Sequence, residues 1–224
     1  MQKTFSFLLL LFINFLFSQS YHFDYFVEDT SKETSNEKNP WIRNYFYDSK
    51  SGQKLHLRNY ENGFLASLYD EESQKSHYFY VSKERTQLTF TYAYSFEHTG
   101  VKKTIKDINK NDNIEVVKID SLNYKVNIFK DKQKRKKKYA MDILIEKSPV
   151  DFFEMPMEYS RSEEVIQRLK SYLCCDQKYM TKISDFTNFK YKETSRFEIT
   201  KFEKTNLTLV LPEKLKIDVP FWNK

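Results

Sequence analysis

Apolar and polar residues alternate with a period of two along almost the whole stretch from residue 21 to residue 146. That is the spacing at which successive side chains of a strand point to opposite faces of a sheet. Tyr21, Phe23, Tyr25 and Val27 fall on one face of a first strand, and His22, Asp24, Phe26 and Glu28 on the other. The polar residues 30–40 read as a loop. Strands over 43–47 and 54–60 follow, joined through Asp48-Ser-Lys-Ser-Gly52, whose glycine can take a positive φ in a tight turn. Asn62-Gly63 is the strongest turn signal and feeds a strand over 64–69, and strands over 76–81 and 87–96 continue the meander. In the last of these, Leu88, Phe90, Tyr92, Tyr94 and Phe96 are expected on one face and Gln87, Thr89, Thr91, Ala93 and Ser95 on the other, one turned to a core and one to water. Residues 102–113 are charged and read as a loop, before strands over 114–119, 123–129 and 137–146.

The period then changes. Ser160-Arg-Ser-Glu-Glu164 offers hydroxyl caps and acids for a first helical turn, and Val165, Ile166, Leu169, Tyr172 and Leu173 recur at helical spacing. This predicts one amphipathic helix over 162–173. Alternation resumes over 196–202 and 206–211. The expected fold is mainly β: a large antiparallel curved sheet or incomplete barrel of about ten strands with one amphipathic helix packed on it, an α+β arrangement.

The first residues carry a different signal. Lys3 precedes the apolar run over 5–17, and Ser18-Gln19-Ser20 follows. A basic start, a short greasy segment and small residues describe an export signal. The run is shorter than the roughly 18 to 20 apolar residues that cross a bilayer, so removal is expected over anchoring, with no transmembrane span after cleavage. Ser18 and Ser20 fit the small-residue spacing for a cut after Ser20, giving a signal over 1–20, and a cut after Ser18 is the alternative. The two cysteines are Cys174 and Cys175, neither placed to carry a lipid at the cut. A single antiparallel domain over 21–224, periplasmic or secreted, is therefore expected.

Composition excludes several chemistries. Phe 20 and Tyr 16 stand beside Gly 3 and Pro 5, which favours pleated surfaces packed with flat rings and leaves too few glycines for a phosphate-binding loop. The formal net charge of +6 is a moderate excess that keeps a protein soluble. The adjacent cysteines read as two thiols at the end of the helix, one buried and one partly exposed, with no CxxC spacing for redox or metal chemistry. His22, His56, His77 and His98 are scattered without metal-ligand spacing. No GxSxG elbow, P-loop or dinucleotide fingerprint occurs. No catalytic residue, cofactor or metal is expected, and the balance leans away from an enzyme.

Two surfaces remain. The run Lys130-Asp-Lys-Gln-Lys-Arg-Lys-Lys-Lys138 lies between two strands, where a solvated lysine-rich hairpin tip is the plain reading. The sharper one makes Lys132, Lys134, Arg135, Lys136 and Lys137 contacts to an anionic envelope surface; nucleic acid is not expected, because export removes it. Tyr78, Tyr80, Tyr92 and Tyr94 could form a stacking platform, although core packing produces the same alternation. If rings line a concave sheet beneath the helix, Phe90, Tyr92, Tyr94, Ile166, Leu169 and Leu173 would line a cavity for a hydrophobic small molecule such as an acyl chain.

The signal ending Phe17-Ser-Gln-Ser20, followed at once by the strand Tyr21-His-Phe-Asp-Tyr-Phe-Val-Glu28, resembles the uncharacterised exported proteins of Bacteroidota of flavobacterial type. Asn44-Tyr-Phe-Tyr-Asp-Ser-Lys50 and Phe197-Glu-Ile-Thr-Lys-Phe-Glu-Lys204 are similar in style. Such families, the GLPGLI group among them, imply curved antiparallel sheets like those of outer-membrane lipoprotein carriers. This chain lacks the Leu-Pro-Gly motif that names that group, and the resemblance carries no catalytic residue. The leading expectation is an exported, non-catalytic binding protein for a lipid or another hydrophobic ligand. The alternatives are an envelope module using the basic hairpin, and a hydrolase without a recognisable motif.

Overall fold

A computed structural model describes residues 19–33, 40–61, 63–85, 87–98, 109–155 and 159–218. The expected signal up to residue 18, Asn62 of the expected turn and residues 102–108 of the expected loop lie outside them.

The described residues form twelve strands and one helix: β1 (Ser20–Glu33), β2 (Trp41–Tyr47), β3 (Lys54–Tyr60), β4 (Gly63–Asp70), β5 (Lys75–Glu84), β6 (Gln87–Glu97), β7 (Asn113–Lys118), β8 (Asn123–Phe129), β9 (Lys137–Ser148), α1 (Ser162–Lys170), β10 (Lys178–Asn188), β11 (Glu193–Val210) and β12 (Ile217–Asp218). They belong to one open sheet in the order β12-β6-β5-β4-β3-β2-β1-β11-β10-β9-β8-β7. Antiparallel ladders run from β2 through β6 and from β7 through β11 by way of β8, β9 and β10, while the short β12 lies parallel to β6. The mainly antiparallel β architecture with a single helix is thus as the alternation implies. The chain groups into two compact units, one drawn from the described residues of 1–26, 44–100 and 203–224, the other from those of 27–43 and 101–202.

In the first unit, Ala66 faces Phe79 and Phe64 faces Val81 across β4 and β5, and these side chains pack with Phe23, Phe46 and Leu55 in one core. Gly52 takes φ +76, as its turn requires. Gly63 serves a different purpose from the one its turn motif suggests. A Cβ there would meet the Val81 carbonyl oxygen at 2.8 Å, so glycine permits the close approach of β4 to β5.

Strand β6 corrects the expected face. Tyr92 pairs with Phe79 but Tyr94 pairs with Tyr78, with an irregularity between them. Ala93 is the extra residue of a β-bulge, and the bulge reverses the alternation beyond it. Phe90 and Tyr92 therefore pack against the core, Tyr94 stacks on Tyr78 on the opposite face at 4.6 Å, and Ser95, expected in water, is fully buried.

Gln19 belongs to this unit. Its carbonyl accepts from the Leu211 N–H at 2.9 Å, and its side-chain amide donates to Asp70 at 2.7 Å. Of the two expected cuts, the one after Ser18 leaves both bonds in place.

In the second unit, Val165 and Leu169 of α1 are buried among Ile114, Val116, Tyr124, Val126 and Ile143. The helix is shorter than expected. After Ser171 the bonds tighten, Tyr172 N–H donating to Leu169 and Leu173 N–H to Lys170, so helical spacing persists for one turn without an α-helix. Nor do the hydroxyls cap it. Arg161 holds the cap position and its side chain makes no capping bond to the first turn, and Ser162 Oγ donates backwards to the Tyr159 carbonyl. Glu164 acts instead by pairing with Arg161 and Arg168. Cys174 and Cys175 are both exposed, where one was expected inside. They sit beyond the helix end, and Leu173 is the residue there that packs inward.

Three further differences concern the extent of strands. Residues 30–33 extend β1 although they are polar. The segments expected over 196–202 and 206–211 are joined in one strand of 18 residues that ends at Val210. β10 has no counterpart in the pattern, because Lys182 is a bulge residue between the pairs Thr181↔Ile145 and Ile183↔Leu144 and interrupts the period of two.

Candidate functional site

The basic run occupies the tip of the β8–β9 hairpin, residues 130–136. Because β9 also pairs with β10, the tip of the β10–β11 hairpin, residues 189–192, lies beside it. The first tip closes through Lys130 N–H to the Lys136 carbonyl at 2.9 Å. The second is shaped by Asn188, whose side-chain oxygen accepts from the N–H groups of Lys190 and Tyr191 at 3.1 and 3.4 Å, a turn that asparagine makes with its own backbone neighbours. Phe189 N–H donates to the Lys138 carbonyl at 3.1 Å. Lys137 Nζ stands 5.8 Å from the Phe129 ring centre and 5.7 Å from that of Phe189. The two tips thus make one surface.

Its charge is mostly positive. Residues 130–137 and 189–192 hold Lys130, Lys132, Lys134, Arg135, Lys136, Lys137, Lys190 and Lys192 against the single carboxylate of Asp131. Arg135 pairs with Asp131 at 3.3 Å. Lys134 pairs with Glu115, and its hydrogen bond holds the Glu115 carboxyl below the usual range. Lys138 turns away to Asp112 at 2.9 Å. Lys130, Lys132 and Lys136 are exposed and make no ion pair among the described residues. Of the residues expected to meet an anionic surface, Lys132 and Lys136 are therefore uncommitted, Lys134 and Arg135 are paired within the fold, and Lys137 is half-buried between rings.

The residues expected to line a cavity are distributed otherwise. Phe90 and Tyr92 belong to the core of the first unit and Tyr94 to its opposite sheet face. Leu169 is buried in the second unit, with Ile166 and Leu173 half-buried there. Of the expected tyrosine platform, Tyr78 and Tyr94 stack on each other, and Arg58 lies 5.8 Å over Tyr78. Tyr60 and Tyr80, 6.0 Å apart, border an open depression of about 320 Å³. Tyr92 is on the other face.

One buried polar cluster escaped the sequence reading. His77 Nδ1 is 2.7 Å from Ser95 Oγ, which is 2.8 Å from the Tyr92 hydroxyl. A serine beside an imidazole is the arrangement that activates a nucleophile, yet both residues have zero exposure, so the cluster is a core network. Nearby, Asp70 accepts from Gln19, Tyr21 and Ser73 at 2.7, 3.0 and 2.8 Å. Burial pushes its carboxyl up, but these hydrogen bonds outweigh that and hold it at about 2. Burial pushes the His77 imidazole down, opposed by Asp70 and assisted by Lys75. Among the described residues no group of three or more His, Cys, Asp or Glu is placed to hold a metal ion.

Both shifts make acid destabilising. His77 is neutral in the fold and takes up a proton more readily when unfolded, so its contribution is complete above about pH 6.5 and is lost as pH falls below that. Asp70 contributes above about pH 4 and is lost as pH falls from there towards its folded value. The urea midpoint is expected to stay level above about pH 7 and then fall in two stages, with the upper stage absent in His77→Phe. A level midpoint from neutral pH to about pH 5 would contradict the His77 assignment.

Compared with known proteins, the chain matches no family model and no curated protein.

Proposed function

We propose that this chain is a non-catalytic exported binding protein that attaches to an anionic, phosphate-bearing surface of the cell envelope through the paired tips of the β8–β9 and β10–β11 hairpins. The observation that carries this reading is the juxtaposition of Lys190 and Lys192 with the run Lys130 to Lys137 across the Lys137–Phe189 contact. A lone basic tip is an ordinary solvated turn. Two adjacent tips with few carboxylates focus a positive potential on one end of the unit. A hydrophobic ligand held beneath α1 has less support, since Val165 and Leu169 have no exposure and are filled against by neighbouring side chains.

The test is binding to vesicles containing phosphatidylglycerol. Each lysine near such a surface contributes about 1 kcal/mol. Exchanging Lys130, Lys132 and Lys136 together for glutamine orphans no carboxylate and is expected to weaken binding roughly a hundredfold without altering thermal stability. Undiminished binding by the triple variant would remove the proposal.

A further inference from the structure

We infer that Phe189 and Tyr191 enter the interfacial layer of a lipid bilayer, so that the anionic surface gripped by the two tips is a membrane and not a soluble polyanion; this rests on the proposed function. Phe189 is 46% exposed and Tyr191 59% exposed, with Lys190 between them and Lys192 after them on one short turn. A single exposed apolar residue is ordinary. Two rings at the outermost point of a hairpin, bordered by cations, are a different arrangement.

The cations attend the rings directly. Lys137 Nζ is 5.7 Å from the centre of Phe189, and Lys190 Nζ is 4.5 Å from that of Tyr191 and 2.7 Å from its hydroxyl. Each pairing sets an ammonium beside an aromatic ring, apolar in Phe189 and amphipathic in Tyr191, the combination that settles where phosphates meet acyl chains. A soluble polyanion would engage the lysines and gain nothing from Phe189. The tip is also formed in advance. The Phe189 N–H bond to Lys138 and the Asn188 side-chain bonds fix the turn, so insertion need not order a loose loop.

The experiment places tryptophan at the tip as Phe189→Trp, with Trp41→Phe and Trp222→Phe removing the chain's own two. On phosphatidylglycerol vesicles its emission is expected to shift to the blue and to be quenched by brominated acyl chains, whereas polyphosphate should leave it unchanged. Binding to vesicles without shift or quenching would overturn the insertion and leave the proposed function standing. No binding to vesicles would overturn both. As a second measurement, Phe189→Ala with Tyr191→Ala is expected to weaken vesicle binding about tenfold or more while polyphosphate binding holds. Equal losses on both would overturn the inference.

Discussion

Replacing Arg43 with methionine is expected to cost about 2 to 3 kcal/mol in urea unfolding, because the buried Asp29 carboxylate loses its charged donor while the guanidinium end of the pair, half exposed, is screened by water. Asp29 has zero exposure, and its two carboxylate oxygens accept from Arg43 Nε at 2.7 Å and from its terminal nitrogen at 3.2 Å. The guanidinium also lies 5.8 Å over the Phe197 ring. Once Arg43 is gone, the Asp29 carboxylate is left buried without its donor, or the polar end of β1 must open to bring it to water. Pairing the change with Asp29→Leu should recover most of the loss, because apolar replacement of both partners leaves no orphan charge. A single variant within about 1 kcal/mol of the wild type would show that the pair does not hold β1 to β2 in the second unit.

Leu169→Ala is expected to destabilise the protein by about 2 to 5 kcal/mol. Leu169 has zero exposure and, with Val165, is the buried anchor of α1. Removing its side chain leaves a void against Ile114 and its neighbours that the close-packed core cannot collapse to fill. Ile166, half-buried on the same helix, should lose much less when cut to alanine. Equal costs at the two positions, by denaturant titration with an unchanged slope, would mean that α1 is seated on a different face.

Period-two alternation marks a strand only where its phase is unbroken. Strands with clear alternation and a one-sided core, such as the first part of β1 and residues 77–81 of β5, are legible because burial on one face selects every second residue. The bulges at Ala93 and Lys182 were not, since an inserted residue leaves composition intact and shifts only the phase. The first moved Tyr94 off the face assigned to it. The second hid β10, and with it the tip that turns the basic run from a loop into half of a surface. The cation run itself stands out as a charge block, but the fates of its members depend on Glu115, Asp112 and Asn109, which only the pairing of β7 to β8 and of β8 to β9 brings close. The pattern Asn188-Phe-Lys-Tyr-Lys192 was the available signal for the missed tip, an asparagine opening a short turn between strands. His77 gave no warning, because its neighbours arrive from β4, β6 and β1.

The most direct trial of the docking surface is a titration of the unaltered protein with phosphatidylglycerol vesicles over a range of ionic strength, set against vesicles of phosphatidylcholine. Attachment through exposed lysines should be strong in dilute buffer, should fall steeply as salt approaches and passes about 0.15 M, where charges are screened within about 8 Å, and should be missing on the neutral vesicles. Attachment that ignores both salt and headgroup charge, or none in dilute buffer, would contradict it.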